Sequence, residues 1–207
     1  RKTKLVEMNN SVLEKEEMIR GEVIQAARQL FQQYGYLKTT MEDIAKAMQK
    51  GKSTLYYYYK SKDEIFEAVV KKEIKEVSDE MRLAVSKCVS AEEKLRTYFR
   101  TILKLIKERV LLYKIVKGEI GENLKLISPL RGAMDSSELQ FIKEILLMGI
   151  KNQEFIDNIE EDIDIMAYSV VSALRSIAVD LVVEDRFPNW DDRIGVLSEV
   201  FIRGLKK

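Results

Sequence analysis

Histidine is absent from the 207-residue chain, cysteine occurs once and proline twice. Without imidazole there is no histidine general base, no Ser-His-Asp or Cys-His relay, and no zinc site built on imidazole nitrogen. Cys88 has no partner for an intrachain disulfide and reads as a small packing residue; the missing cysteine framework fits a reducing, cytoplasmic compartment. Long apolar runs are missing as well. The most apolar tract, Ile163 to Val183, is interrupted by Asp164, Arg175 and Asp180, short of the ~20 residues that a spanning helix needs, so no membrane is expected as a partner. Residues 1–17 lack the apolar centre of a secretory signal and read as a charged arm or a frayed helix start. No cofactor and no metal are expected.

What remains is rich in charge, 33% of residues, with 35 Lys and Arg against 34 Asp and Glu. The near balance conceals an asymmetry. Residues 1–62 hold 12 basic and 7 acidic side chains, whereas residues 63–207 hold 23 and 27. A basic leading segment on a mildly acidic remainder suits a module that meets a polyanion, carried on a body that does not. Solvated lysines on ordinary helix faces produce the same excess, so the sign of the charge needs a motif beside it.

With few glycines and prolines, the apolar residues fall at helical spacing nearly throughout. Ile19, Val23, Ala26, Ala27, Leu30, Phe31 and Tyr34 predict an amphipathic helix that stops at Gly35. Thr39 and Thr40 each precede an acid by three places, the spacing of a capping box, so a short helix starts there and carries Ile44, Ala45 and Met48 inward. Gly51 interrupts that pattern and opens a second short helix through Tyr59. Ser61 then caps a long helix beginning at Lys62 that reaches about Val85. Further helices are predicted through Leu95–Ile106, Leu111–Val116, Leu139–Ile150, Ile163–Glu184 and Asp191–Leu205. Gly118, Gly121 and Pro129 mark an irregular connection, and Phe187-Pro188 a stop. No segment reads as a strand, so the fold class is all-α, with about nine helices.

Two short helices joined by a tight turn over about residues 40–59 form a helix-turn-helix, whose second element would lie in a major groove. Leu55 and Tyr59 are one turn apart and face the module's interior, which leaves Lys52, Ser53, Tyr56 and Tyr57 on the sides and front. Lysine donates to guanine O6 and N7, the serine hydroxyl pairs with several bases, and tyrosine presses on thymine methyls or donates to phosphate. Thr40 and Lys62, near helix N-termini, add backbone amides suited to anionic oxygens. The bland alternative makes the four consecutive tyrosines 56–59 ordinary bundle aromatics, but four adjacent helical positions cannot share one face. A second alternative is Gly51-Lys52-Ser53 as the end of a phosphate-binding loop; that motif needs glycine where Lys46 stands and a preceding strand where a helix is read.

Ala26-Ala27 through Phe31, Gly35-Tyr36, Thr39-Thr40, Ile44-Ala45, Thr54-Leu55-Tyr56 and Lys60-Ser61-Lys62-Asp63 together resemble the N-terminal signature of the TetR family of transcriptional regulators. The resemblance covers about residues 16–70; beyond it only the helical layout is similar. It implies a DNA-binding domain over residues 1–62 and an effector-binding and dimerisation domain over 63–207. It also implies that Thr40, Lys52, Ser53, Thr54, Tyr56, Tyr57, Tyr58 and Lys62 fall at DNA-touching positions, and Leu55 and Tyr59 at packing positions. Where the family's turn has glycine and a small apolar residue, this chain has Gln49 and Lys50. If Gln49 keeps the left-handed conformation, the strain is on the order of 1 kcal/mol; either the turn is rearranged, or Lys50 adds a phosphate contact that compensates. Ser53 stands where the family commonly has glycine, which bears on which operator is read.

In the body, the last two helices are apolar on more than one face, which predicts a homodimer interface. The intervening helices offer Phe99, Leu103, Ile106, Tyr113, Met134, Phe141, Ile145, Met148, Met166 and Tyr168 as the lining of a site for a small, mostly apolar effector; each one is equally at home in a core. Arg175, in an otherwise apolar helix, needs a carboxylate such as Asp180, an acid of the second subunit, or a ligand anion. The rival to a DNA-binding regulator is a metal-dependent enzyme or interaction protein using Glu160, Glu161, Asp162 and Asp164, acids that also complement a helix start.

Overall fold

A computed structural model describes residues 2–109, 128–178, 180 and 194–207. Eight α-helices occur among them: α1 (Lys2–Tyr34), α2 (Met41–Ala47), α3 (Lys52–Tyr58), α4 (Lys62–Ser86), α5 (Ala91–Glu108), α6 (Ser128–Lys151), α7 (Ile163–Ala178) and α8 (Ile194–Leu205). A 3-10 turn spans Asp157–Ile159, and Phe155 and Lys206 form an isolated antiparallel bridge. The fold is all-α. No described helix is long and apolar enough to cross a membrane.

Helix α1 runs to 33 residues, so that of the two readings of the first stretch, charged arm or helix start, the helix holds. Residues 2–20 hold neither glycine nor proline and consist largely of Lys, Glu, Met and Leu, all good helix formers. Pro129 departs from expectation. It lies in the first turn of α6 rather than in an irregular connection, a position where its missing N–H leaves no intrahelical bond unmade. The predicted helix at 111–116, Gly118, Gly121, the Phe187-Pro188 stop and residues 191–193 lie outside the described residues.

The described residues divide into two compact units, the first up to Glu73 and the second from Ile74 onward. In the first, α1 turns Ile19, Val23, Ala27 and Phe31 inward, against Ile44 and Ala45 of α2, Leu55 of α3 and Ile65, Phe66 and Val69 of α4, all buried. Phe31, Tyr36 and Phe66 form a triangle of tilted and edge-on rings with centroids 4.9–5.6 Å apart, a geometry that adds to their apolar burial. Arg28 of α1 reaches the buried carboxylate of Glu73 in α4 at 2.5 Å.

The second unit is built around α5. Leu95, Tyr98, Phe99, Leu103 and Ile106 pack with Val77, Met81 and Val85 of α4, Ile142, Ile145 and Leu146 of α6, Val170, Val171 and Leu174 of α7, and Ile202 and Leu205 of α8. The segment after α6 locks these helices together. Gln153 adopts a left-handed conformation (φ 61°) that ends α6. Glu154 accepts the backbone N–H groups of Ala91 and Glu92 at 3.1 and 3.0 Å, the open amides at the start of α5, and the Ile156 N–H donates to the Leu205 carbonyl at 2.8 Å. Phe155, 1% exposed, fills the space left by the missing side chain of Gly149, where a Cβ would sit 2.0–2.8 Å from its ring.

That contact predicts the response to a single methyl group. Gly149→Ala is expected to lower stability by about 1–3 kcal/mol through overpacking, and Phe155→Leu introduced beside it should restore part of the loss. Denaturant unfolding of the three proteins checks this; additive losses would mean that the two side chains do not compete for the same space.

Candidate nucleic-acid interface

Thr40 adopts extended backbone geometry ahead of α2 and closes a capping box. Its hydroxyl accepts the Asp43 N–H at 3.2 Å, and its own N–H donates to Asp43 Oδ2 at 2.9 Å. Of the two spacings in the sequence, Thr40 with Asp43 is the one used. Thr39 is buried and donates to the Gly35 carbonyl at 2.7 Å. These Thr40 bonds hold the exposed Asp43 carboxyl below its ordinary range, because they favour the ionised acceptor. The Thr40 amide, expected to face an anion, is therefore engaged by Asp43.

Between α2 and α3 the chain turns through Gln49 at φ 55°, so of the two alternatives the turn keeps its left-handed residue and is not rearranged. The Gln49 N–H donates to the Lys46 carbonyl and the Lys50 N–H to the Ala45 carbonyl, each at 3.0 Å. Gly51 then opens α3, following a helix and not a strand, so the phosphate-loop alternative lacks its structural context. Seven residues form α3, too few to hold a helix by backbone bonding alone. Its setting comes from Leu55 and Tyr59, 1% and 5% exposed.

With those two residues inward, Lys52, Ser53, Tyr56 and Tyr57 stand exposed, and Thr54 and Tyr58 are half-buried at the flanks. The four tyrosines divide accordingly: Tyr57, 65% exposed, leads the face, Tyr58 meets its ring edge-on at 4.9 Å, and Tyr59 is core. Helix α1 braces this arrangement. Arg20 donates to the Tyr58 carbonyl at 3.0 Å and lies 5.8 and 5.2 Å from the centroids of Tyr58 and Tyr59, within cation–π range. The Tyr57 hydroxyl reaches Glu16 at 3.3 Å.

The lysines of the site are held by groups that sequence reasoning did not identify. Lys50 pairs with Glu22 of α1 and Lys52 with Glu42 of α2, each at 2.6 Å; the Glu42 contact raises the Lys52 ammonium above its ordinary range. Lys62 is half-buried, donates to the Tyr36 carbonyl at 2.8 Å and sits 4.2 Å from the Tyr36 ring centroid, so it fastens the 35–40 loop. The Tyr36 hydroxyl donates to Asp63, and burial, then that carboxylate, raise the phenol. Helical pairs at i and i+4 are visible in a sequence; pairs 10 and 28 residues apart, such as Lys52–Glu42 and Lys50–Glu22, are not.

In the body, Phe99, Leu103, Ile106 and Ile145 are buried core, while Phe141, Met148 and Met166 pack at its margin. Tyr168 does not join them. It is 60% exposed, beside the equally exposed Ile165, because its helical phase is opposite that of Ala167, Val170 and Leu174. Tyr113 and the Met134 side chain lie outside the described residues. Arg175 reaches Glu138 of α6 at 3.6 Å, a partner 37 places away that was not foreseen, and Glu138 also accepts the hydroxyl of the buried Tyr98 at 2.5 Å. Burial, and then Glu138, push the Tyr98 phenol well up. Glu160, Glu161 and Asp162 are exposed, Asp164 pairs with Lys143, and among the described residues no three acidic or thiol side chains converge on a point that would hold an ion.

Residues 23–69 match the family model described as bacterial regulatory proteins, tetR family. The chain is 24% identical over 195 residues to the HTH-type transcriptional regulator QacR of Staphylococcus aureus, which covers 91% of this chain and 99% of that one. Over 53 residues it is 42% identical to the biofilm operon icaADBC negative transcriptional regulator IcaR of the same species, 26% of this chain and 28% of that one. Its fold is similar to that of a TetR transcription regulator from Haloarcula marismortui, with a TM-score of 0.76, 16% identity, and coverage of 91% and 98%.

The turn between α2 and α3 carries a measurable strain. Gln49→Gly is expected to stabilise the protein by about 1 kcal/mol, since glycine adopts the left-handed conformation without a Cβ conflict. A rise in the denaturant midpoint at unchanged slope checks this; no gain would show that the turn holds Gln49 without cost.

Proposed function

This chain belongs to the TetR family of bacterial regulatory proteins, a DNA-binding transcriptional regulator, and from that premise we propose that it is a homodimeric repressor that binds a palindromic operator and is released by a small, mostly apolar effector. The observation that carries the reading is the orientation of α3: Leu55 and Tyr59 inward, Lys52, Ser53, Tyr56 and Tyr57 outward. Those side chains have the chemistry to reach base edges and phosphates in a major groove, with Thr54 and Tyr58 at the flanks and Thr40, Lys50 and Lys62 framing them. Residues 1–62 form the DNA-binding part and residues 63–207 the effector and dimerisation part, acting in the cytoplasm.

Dimerisation through the last two helices is supported by their exposed apolar side chains: Ile165 and Tyr168 on α7, and Val196, Leu197 and Val200 on α8, each 47–67% exposed. Isologous pairing would bury them, and a two-fold dimer sets its recognition helices roughly 34 Å apart, or a multiple of that, matching a palindrome. Repression as the sign of regulation is supported by the likeness to IcaR, a negative regulator by its name. Effector binding among the residues around Phe99, Phe141, Met148 and Met166 would act through α4, and a typical coupling of about 1–3 kcal/mol changes operator affinity roughly 5- to 150-fold.

Duplex binding titrated with salt tests the reading. Affinity is expected to fall steeply as salt rises, and Lys52→Ala and Tyr57→Ala, both at exposed positions, should each weaken binding by about 1–3 kcal/mol while leaving the unfolding midpoint within about 0.5 kcal/mol of the parent. Salt-independent affinity, or full binding by both variants, would contradict it.

A further inference from the structure

The two lysines flanking the turn are each claimed by a carboxylate of their own chain. Lys50 Nζ lies 2.6 Å from Glu22 Oε2 and Lys52 Nζ 2.6 Å from Glu42 Oε1, the separation at which an ammonium holds a phosphate oxygen. Neither acid is part of the core: the Glu22 side chain is 44% exposed and that of Glu42 71%, and the lysines are 30% and 52% exposed. Pairs so open to water contribute little to folding and exchange partners readily. Glu22 comes from α1 and Glu42 from α2, so two separate elements place an anion beside the same turn.

We propose that Glu22 and Glu42 are built-in competitors for DNA phosphate, each occupying a lysine of the reading face and thereby holding down the protein's affinity for duplex of arbitrary sequence. The proposal rests on the DNA-binding reading above. Two effects act together. A lysine must leave its carboxylate before it can bind phosphate, so the transfer exchanges one ion pair for another instead of creating a new one. The carboxylate left behind then stands within a Debye length of the DNA backbone and repels it. Both effects are the same for every sequence. An operator, which adds base contacts from Ser53, Tyr56 and Tyr57, has further free energy with which to displace the acids; arbitrary duplex does not. Glu22 and Glu42 are thus residues that lower affinity for any duplex without touching DNA, so that only a sequence offering further contacts is held tightly. Counterion release follows the same logic: a lysine retained by its own carboxylate neutralises no phosphate and releases none of the cations condensed on the duplex, which flattens the dependence of affinity on salt.

The test measures binding of the full chain to a mixed-sequence duplex by fluorescence anisotropy across a salt series, for the parent, Glu22→Gln and Glu42→Gln, and for each variant combined with Lys50→Gln or Lys52→Gln respectively. Each single variant is expected to bind the duplex roughly two- to fivefold more tightly per headgroup at low salt, as an exposed ion pair permits, and to steepen the slope of log affinity against log salt by about 0.9 per headgroup. The gain should vanish when the partner lysine is also neutralised. Unchanged or weakened binding by the glutamine variants overturns the proposal, as does a gain that persists without the lysine, which would be simple removal of negative charge. A parent chain that fails to bind duplex at any salt overturns the DNA-binding reading with it, an outcome distinct from a parent that binds and variants that do not differ. Thermal unfolding of each variant accompanies the series, and Glu42, the more exposed acid, provides an arm that is independent of α1.

Discussion

Burial of Leu55 and Tyr59 is the constraint on which the reading face depends. A helix of seven residues makes too few backbone bonds to persist alone, and α3 has no side-chain cap at Gly51. Leu55 and Tyr59, one turn apart, insert among the buried residues of α1, α2 and α4, and each contributes on the order of 1.5–3 kcal/mol of apolar burial. Leu55 lies within α3 and Tyr59 is the extended residue that caps its end; with both buried the rotation of α3 about its axis is settled, and Tyr56 and Tyr57 stand exposed. A shift of a single position would bury Tyr56 and turn Leu55 to water.

Polar contacts refine what this burial establishes. The Thr40–Asp43 capping box starts α2, Lys62 fastens the loop ahead of it through the Tyr36 carbonyl, and Arg20 of α1 anchors the end of α3 at the Tyr58 carbonyl. Glu16, Glu22 and Glu42 contact Tyr57, Lys50 and Lys52. The basic excess of residues 1–62 is therefore not presented whole: part of it is matched locally, at the positions nearest the turn. Net charge gives the long-range attraction to a polyanion, whereas these pairs decide how much of it acts at contact.

Much of the head was legible in the sequence because its signals are local. Helical spacing gave the inward residues Ile19, Val23, Ala27 and Phe31 of α1 and Ile44 and Ala45 of α2, though Tyr34, on the same expected stripe, is 54% exposed and Met48 only half-buried; Gly35 gave the end of α1 and Ser61 the start of α4. The Lys50–Glu22 and Lys52–Glu42 pairs were not legible, since each joins residues brought together only by the fold. The same limit applied to the body. Phe99, Leu103 and Ile145 are apolar at helical spacing whether they line a ligand site or a closed core, and the Arg175–Glu138–Tyr98 cluster joins three helices. Tyr168 was assigned inward by its apolar ring, yet its phase on α7 places it with Ile165 on the exposed side. The early extent of α1 stays open in the sequence, between arm and helix start, for a different reason: its charged residues carry helix propensity without an apolar stripe to announce it.

The likeness to known regulators and the geometry of α3 both support the proposal that a short helix pinned by two side chains presents its remaining residues to DNA. Backbone amide hydrogen exchange with and without duplex tests that statement most directly, because it reads protection residue by residue and needs no substitution. Slowed exchange concentrated across Lys52–Tyr58 and the neighbouring Thr40 region on adding duplex is the expected result. Exchange there unchanged at saturating duplex, with protection confined to α5–α8, would contradict it.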